Sequence, residues 1–201
     1  GTINPRFFAP GNLSLILDQV SVVGTVAIAQ TLIILTAGID LSVGAAMILA
    51  SMVTAQTAVH NGFPAPLALL AGLLAALAAG TLNGFLVTRV KLPPFIATLG
   101  TLNVFVALTL LYSGGQTIRK AEMPELLTWT ATAFPVGDVM LTVGVIIMFA
   151  LYVLVAYVLG RTAWGRHVYA VGDDAEAARL AGISTTKVLM SVYVVAGAVL
   201  A

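Results

Sequence analysis

Leu67–Thr88 reads LALLAGLLAALAAGTLNGFLVT, twenty-two residues without one ionisable side chain. About 20 predominantly apolar residues carry a helix across the hydrocarbon core of a bilayer. The run is apolar on every side, whereas the strands of a membrane barrel alternate over about 10 residues. It is therefore predicted to be a spanning helix. Within it Gly72, Ala76, Gly80 and Gly84 recur every four residues and so share one face. Small residues at that spacing let two backbones approach, which is how helices associate in lipid, where hydrophobicity supplies little drive. Such a face is either static packing or a seam along which helices slide.

The same pattern repeats outward in both directions. Apolar runs cover about 13–37, 41–59, 95–112 and 139–159, and a last run covers 188–201. That last run has 14 residues, short of a full span, so the expectation is one cut-off helix and a chain that is a piece of a longer protein. It also begins at Gly1 without a signal-peptide pattern. Composition agrees with this reading: 60% of the 201 residues are hydrophobic and 8% are charged, with a mean hydropathy of +1.06. A soluble domain carries roughly 25% charged residues, so a soluble globular enzyme is excluded. A net charge of +1 offers nothing to nucleic acid. The absence of cysteine removes disulfides, thiolate catalysis and Cys-ligated metal together. The predicted fold class is all-α: a polytopic helical membrane protein with a single transmembrane domain over 1–201.

Lys and Arg prefer the cytoplasmic side of short loops. Placing the Arg89/Lys91 turn and loop 160–187 inside puts six of the nine basic residues there, and alternation places 60–66 and 113–138 outside. The outside loop then holds Arg119 and Lys120, and Arg6 falls outside as an exception.

Two acids lie within or at the edge of apolar runs, Asp18 and Asp40. A charge in hydrocarbon is costly unless paired or wetted. Asp18 either lines a wet vestibule or sits at headgroup level. Asp40 lies in Gly38-Ile39-Asp40-Leu41-Ser42-Val43-Gly44, where Asp40 or Ser42 can cap the helix that restarts there; an ion or proton site on Asp40 is the rival reading. No phosphate-cradling loop of the Gly-x-x-x-x-Gly-Lys-Ser/Thr type occurs. His60 and His167 stand alone in loops, and no residue spacing suggests a metal site. In the inside loop, Asp173-Asp174-Ala175-Glu176-Ala177-Ala178-Arg179-Leu180-Ala181-Gly182 reads as a short helix. Asp173 can cap it with Glu176 completing a capping box, Glu176 and Arg179 can pair, and Gly182 can stop it in the left-handed conformation. Two turns are marginal alone in water, so the helix either docks on a partner or lies on the membrane.

Three blocks of this chain resemble the membrane permeases of bacterial ABC importers for monosaccharides, of the ribose/xylose/galactose type. They are Gln30–Thr36 followed by Gly38–Gly44; Leu82-Asn83-Gly84 through Pro93–Thr101; and Gly165-Arg166 through Tyr169–Gly172 and Glu176–Ile183. The chain departs from that family at Asp174, where Asn is frequent, and at Asn103–Ala107, where an Arg-Gly pair is frequent. The resemblance implies part of a type II ABC importer-like transmembrane domain in the bacterial inner membrane, moving a monosaccharide by alternating access and catalysing no covalent step. It implies a second permease subunit, identical or not, a cytoplasmic ATPase that holds ATP and magnesium, and an extracytoplasmic sugar-binding protein. It places Asp173, Asp174, Ala175, Glu176, Ala178, Arg179, Leu180 and Gly182 at the ATPase. Gln30, Thr36, Asp40, Asn83 and Asn103 are expected along the path, and Arg119 and Lys120 at the binding protein. The competing expectation is an ion-coupled secondary transporter with broken helices and an ion on Asp40.

Overall fold

The computed structural model describes residues 5–201, with side chains from Phe7 onward; the start of the predicted domain at Gly1 and the side chain of Arg6 lie outside the described residues. After a 3-10 turn at Pro5–Phe8, the first helix, α1, runs Pro10–Ile34. It stops three residues before the predicted end at Ala37. There Thr36 Oγ1 donates back to the Ile33 carbonyl at 2.8 Å, the Gly38 N–H bonds the same carbonyl, and Ala37 takes a left-handed φ of 57°. Helix α2 (Val43–Val59) follows, then α3 (Ala65–Thr88) and α4 (Pro94–Ser113). Pro66 sits in the first turn of α3 and Pro94 opens α4, where a missing N–H costs nothing. Gly114, at φ 59°, ends α4 in the left-handed cap that glycine adopts without strain.

The predicted fifth span is corrected at its start. Val139–Thr142 is not helix but β2, paired antiparallel with β1 (Ala133–Val136). Gly137 and Asp138 turn the hairpin, with Gly137 at φ 63°, and helix α6 begins only at Val143 and ends at Arg161. Before the hairpin come a 3-10 turn at Lys120–Glu122, the single-turn α5 (Glu125–Thr128) and a second 3-10 turn at Trp129–Ala131. Among the described residues the all-α expectation thus holds for everything but this one hairpin.

Loop 160–187 is more ordered than expected. It contains α7 (Ala163–Asp173) and α8 (Ala175–Leu180), and α9 (Thr185–Val199) follows. In α7 the buried Gly165, Val168 and Val171 recur at helical spacing, so one stripe of the helix packs inward.

Helix α3 is the centre of the bundle and packs chiefly on α2 and α9. The small-residue face predicted in α3 makes these contacts. A Cβ on Gly80 would run into the Tyr193 carbonyl, one on Gly84 would lie 2.8 Å from Met190 Sδ, and one on Gly72 would meet Thr54. Across the seam, a Cβ on Gly197 would be 2.6 Å from the Ala76 carbonyl. Backbone meets backbone there. Helix α1 packs on α6 and α9, and α4 on α2. The described residues include four helices long and apolar enough to cross a membrane, α1, α3, α4 and α6, with α2 and α9 as shorter apolar helices.

Candidate functional site

Two ends of the bundle can be told apart by which connectors meet. At one end, α2 and α4 finish together: Gln56 Nε2 donates to the Tyr112 carbonyl at 3.2 Å. There too the hairpin lies against the start of α1, the Met140 N–H donating to Ser14 Oγ at 2.9 Å and Thr142 Oγ1 to Asp18 Oδ1 at 3.2 Å. Asp18 is exposed and holds the hairpin. Arg119 and Lys120, in the connector between α4 and the hairpin, are exposed, with the Arg119 N–H donating to Glu122 Oε2 at 3.3 Å.

At the other end, the α1–α2 connector, the start of α4 and α7 come together. Asp40 Oδ1 accepts the Ser42 N–H and the Ser42 hydroxyl, both at 2.7 Å. Asn83 Nδ2 donates to Ser42 Oγ at 2.7 Å and to Asp40 Oδ2 at 3.2 Å. Thr101 Oγ1 donates to Asn83 Oδ1 at 2.7 Å. The Leu41 N–H donates to Thr98 Oγ1 at 3.1 Å, and that hydroxyl donates to the Pro94 carbonyl at 2.9 Å. Asp40, Ser42, Asn83, Thr98 and Thr101 are all buried. One polar cluster therefore joins α2, α3, α4 and the break before α2. Burial pushes the Asp40 carboxyl above its usual range, against the pull of the hydrogen bonds from Ser42 and Asn83. Donors surround this carboxylate, an arrangement that suits an anion pinned in place. Thr98, Thr101 and the buried Tyr193 of α9 were not singled out in the sequence. Hydroxyls at Thr98 and Thr101, three apart in an apolar run, were the available signal.

The five residues expected along a path divide between these surroundings. Asp40 and Asn83 bind each other, and Thr36 is buried with its hydroxyl on the Ile33 carbonyl at the end of α1. Gln30 is half-buried in α1, and its Oε1 has no partner among the described residues. Asn103 is exposed on α4, its Nδ2 donating to the Leu99 carbonyl at 2.9 Å. The structure does not bring Gln30 and Asn103 to the cluster.

The arm beyond the cluster is α7 and α8. Thr162 caps α7, its Oγ1 accepting the Gly165 N–H at 3.2 Å, and Trp164 Nε1 donates to Ser191 Oγ of α9 at 2.8 Å. A Cβ on Gly172 would collide with the Leu35 carbonyl at the end of α1. The cap of α8 is Asp174, correcting the expectation for Asp173: Asp174 Oδ1 accepts the Glu176 and Ala177 N–H groups at 2.9 Å each. Asp173 is the last residue of α7, and Asp174, extended at φ −151°, is the residue with the backbone a cap needs. Glu176 and Arg179 pair as predicted, with Arg179 Nε 3.2 Å from Glu176 Oε2. Gly182 is left-handed at φ 85°. Ala178, by contrast, is buried in the chain's own hydrophobic core. Asp173, Asp174, Ala175, Glu176, Arg179 and Gly182 are exposed, and Leu180 is 77% exposed. Among the described residues no group of three or more His, Cys, Asp or Glu side chains could hold a metal ion.

Comparison with known proteins gives this arrangement its relatives. The chain is 48% identical over 199 residues to the fructose import permease protein FrcC of Rhizobium meliloti, covering 98% of this chain and 55% of that protein. It is 37% identical over 195 residues to the ribose import permease protein RbsC of Bacillus subtilis, covering 97% of this chain and 59% of that protein. It is 36% identical over 190 residues to the autoinducer 2 import system permease protein LsrC of Yersinia enterocolitica, covering 94% of this chain and 51% of that protein. The chain thus spans between half and two thirds of the length of these relatives. No solved structure matches. The family described as "Branched-chain amino acid transport system / permease component" matches residues 12–201. With its apolar helices and small-residue packing, the chain is a membrane protein and belongs to this permease family.

Proposed function

We propose that this chain is part of a permease subunit of an ATP-driven importer in the bacterial inner membrane, and that its cargo is a monosaccharide moved by alternating access. Most of the support comes from one feature, the α7–α8 arm. A six-residue capped helix stands at the end of the bundle that carries Arg161, Arg166, Arg179 and Lys187, and it presents Leu180 and the Glu176–Arg179 pair outward. So short a helix is not stable by itself, and an exposed leucine on a polar arm fits a groove on a partner. The partner in this reading is a cytoplasmic ATPase that carries ATP and magnesium. Asp173, Asp174, Ala175, Glu176, Arg179, Leu180 and Gly182 would touch it. Two of the relatives named above carry fructose and ribose in their names, which supports a monosaccharide as cargo.

A neutral sugar is recognised by hydrogen bonds rather than countercharges. The exposed Asn103 amide on α4 offers such bonds on a face that a second permease subunit would turn into a path, with Gln30 as a further candidate. Arg119 and Lys120, at the hairpin end, would meet carboxylates of an extracytoplasmic sugar-binding protein. Asp40 is surrounded by N–H and O–H donors, which favours this reading over an ion-coupled transporter with a cation on that carboxylate. The test is sugar uptake in cells with and without the cognate ATPase while the ion gradient is intact. Uptake is expected to vanish with the ATPase; uptake that persists and follows the ion gradient would reject the proposal.

A further inference from the structure

The polar cluster leaves one group unexplained. Tyr193 in α9 is 2% exposed, and its hydroxyl has no hydrogen-bond partner among the described residues. A buried donor in that state costs free energy that a fold rarely leaves uncompensated. The hydroxyl lies at the corner of the α1–α2 connector, because a Cβ on Gly38 would be 3.7 Å from it. Tyr193 also borders a small void shared with Ile33, Asp40, Ser42, Asn83 and Gly197. The void measures about 10 Å³ to the centres of water-sized spheres, close to the smallest space that holds one water molecule. A buried water needs two to four polar partners, and this wall supplies them. Asp40 Oδ2 accepts one hydrogen bond, from Asn83, and has capacity for another. Ser42 Oγ accepts one, from Asn83, and has a second lone pair.

We propose that this void is a binding site for a single water molecule, which accepts a hydrogen bond from the Tyr193 hydroxyl and donates one to the Asp40 carboxylate. A metal cation fits the wall less well, because the Asn83 amide turns its N–H₂ toward the same carboxylate and hydroxyl. The void is far too small for a sugar ring. The bridge would fasten α9 to the connector between α1 and α2. Helix α9 starts five residues after α8 ends, so the water would tie the helix downstream of the arm to the pinned corner. That last consequence rests on the proposed function; the water site does not.

Two measurements on the full-length permease decide the matter. A map of the assembled transporter in lipid nanodiscs, sharp enough to resolve waters, should contain one peak within hydrogen-bond distance of Tyr193 Oη and of Asp40. An empty void would overturn the proposal. The second measurement compares the Tm of wild type and Tyr193→Phe in sodium chloride and in choline chloride. Loss of a water bridge lowers the Tm of Tyr193→Phe equally in both salts. A Tm at or above that of wild type would mean that the hydroxyl is a bare orphan, because its removal would then relieve a cost. A sodium-dependent stabilisation of wild type that Tyr193→Phe abolishes would place a cation there instead. Either result rejects the water. Sugar uptake lost with the ATPase but unaffected by Tyr193→Phe would leave the transport reading standing and sever the bridge from it.

Discussion

The buried corner and the exposed arm use the same chemistry to opposite ends. In each, a carboxylate meets nitrogen or hydroxyl donors at hydrogen-bond distance. At the corner, Asp40 is 7% exposed, and it receives Asn83 from 43 residues away. On the arm, Glu176 takes a partner three residues away, and the two side chains are 67% and 63% exposed. A buried polar group must be answered by a partner or it destabilises the fold, so the corner fixes how α2, α3 and α4 meet. An exposed pair is answered by water in any case and contributes little to stability. In the proposed function its value is in what it offers to another surface. Packing is specified by the polar residues that are hidden, and the proposed docking is left to those on display.

That contrast can be broken by substitution. Asn83→Leu keeps the bulk but leaves Asp40, Ser42 and Thr101 without their shared partner; we expect a loss of about 3 kcal/mol, read as a lower Tm of the full-length permease in detergent. A wild-type Tm would mean that the corner does not hold the helices together. Gly80→Val forces side-chain atoms against the Tyr193 carbonyl, and overpacking of this kind should cost about 2 kcal/mol in the same assay. Gly182→Ala places a Cβ on a backbone with φ 85° and should cost about 1 kcal/mol. Smallest of all is Glu176→Ala with Arg179→Ala, which should change stability by less than about 0.5 kcal/mol. That pair should nevertheless reduce sugar uptake to background while the permease still reaches the membrane. Uptake at the wild-type level would detach the arm from transport.

The apolar helices were legible in the sequence because a bilayer imposes a length and tolerates few charges. Predicted bounds of 67–88 and 95–112 became Ala65–Thr88 and Pro94–Ser113. Hydropathy does not separate an apolar strand from the apolar helix that follows it, so Val139–Thr142 was merged with α6. The strand is defined by its register with Ala133–Val136, which no local pattern displays. Asp40, Ser42 and Asn83 were each singled out in the sequence, but their meeting depends on how α2 and α3 pack. Asp173 and Asp174 stand side by side, and only the extended backbone at Asp174 selects it as the cap. Helix α7 went unread because glycine and aromatic residues lower helix propensity, although the spacing of Gly165, Val168 and Val171 was there to see.

The bare backbone at Gly172 has a mechanical consequence. With no Cβ between them, this turn of α7 rests directly on the Leu35 carbonyl, and nothing compressible lies in the joint. Side chains swivel between rotamers and absorb small displacements; two main chains in contact do not. A push on the arm would therefore reach the foot of α1 undamped. Tilting α7 by itself would require prising this contact apart, so the arm and the foot of α1 should swing as one rigid piece.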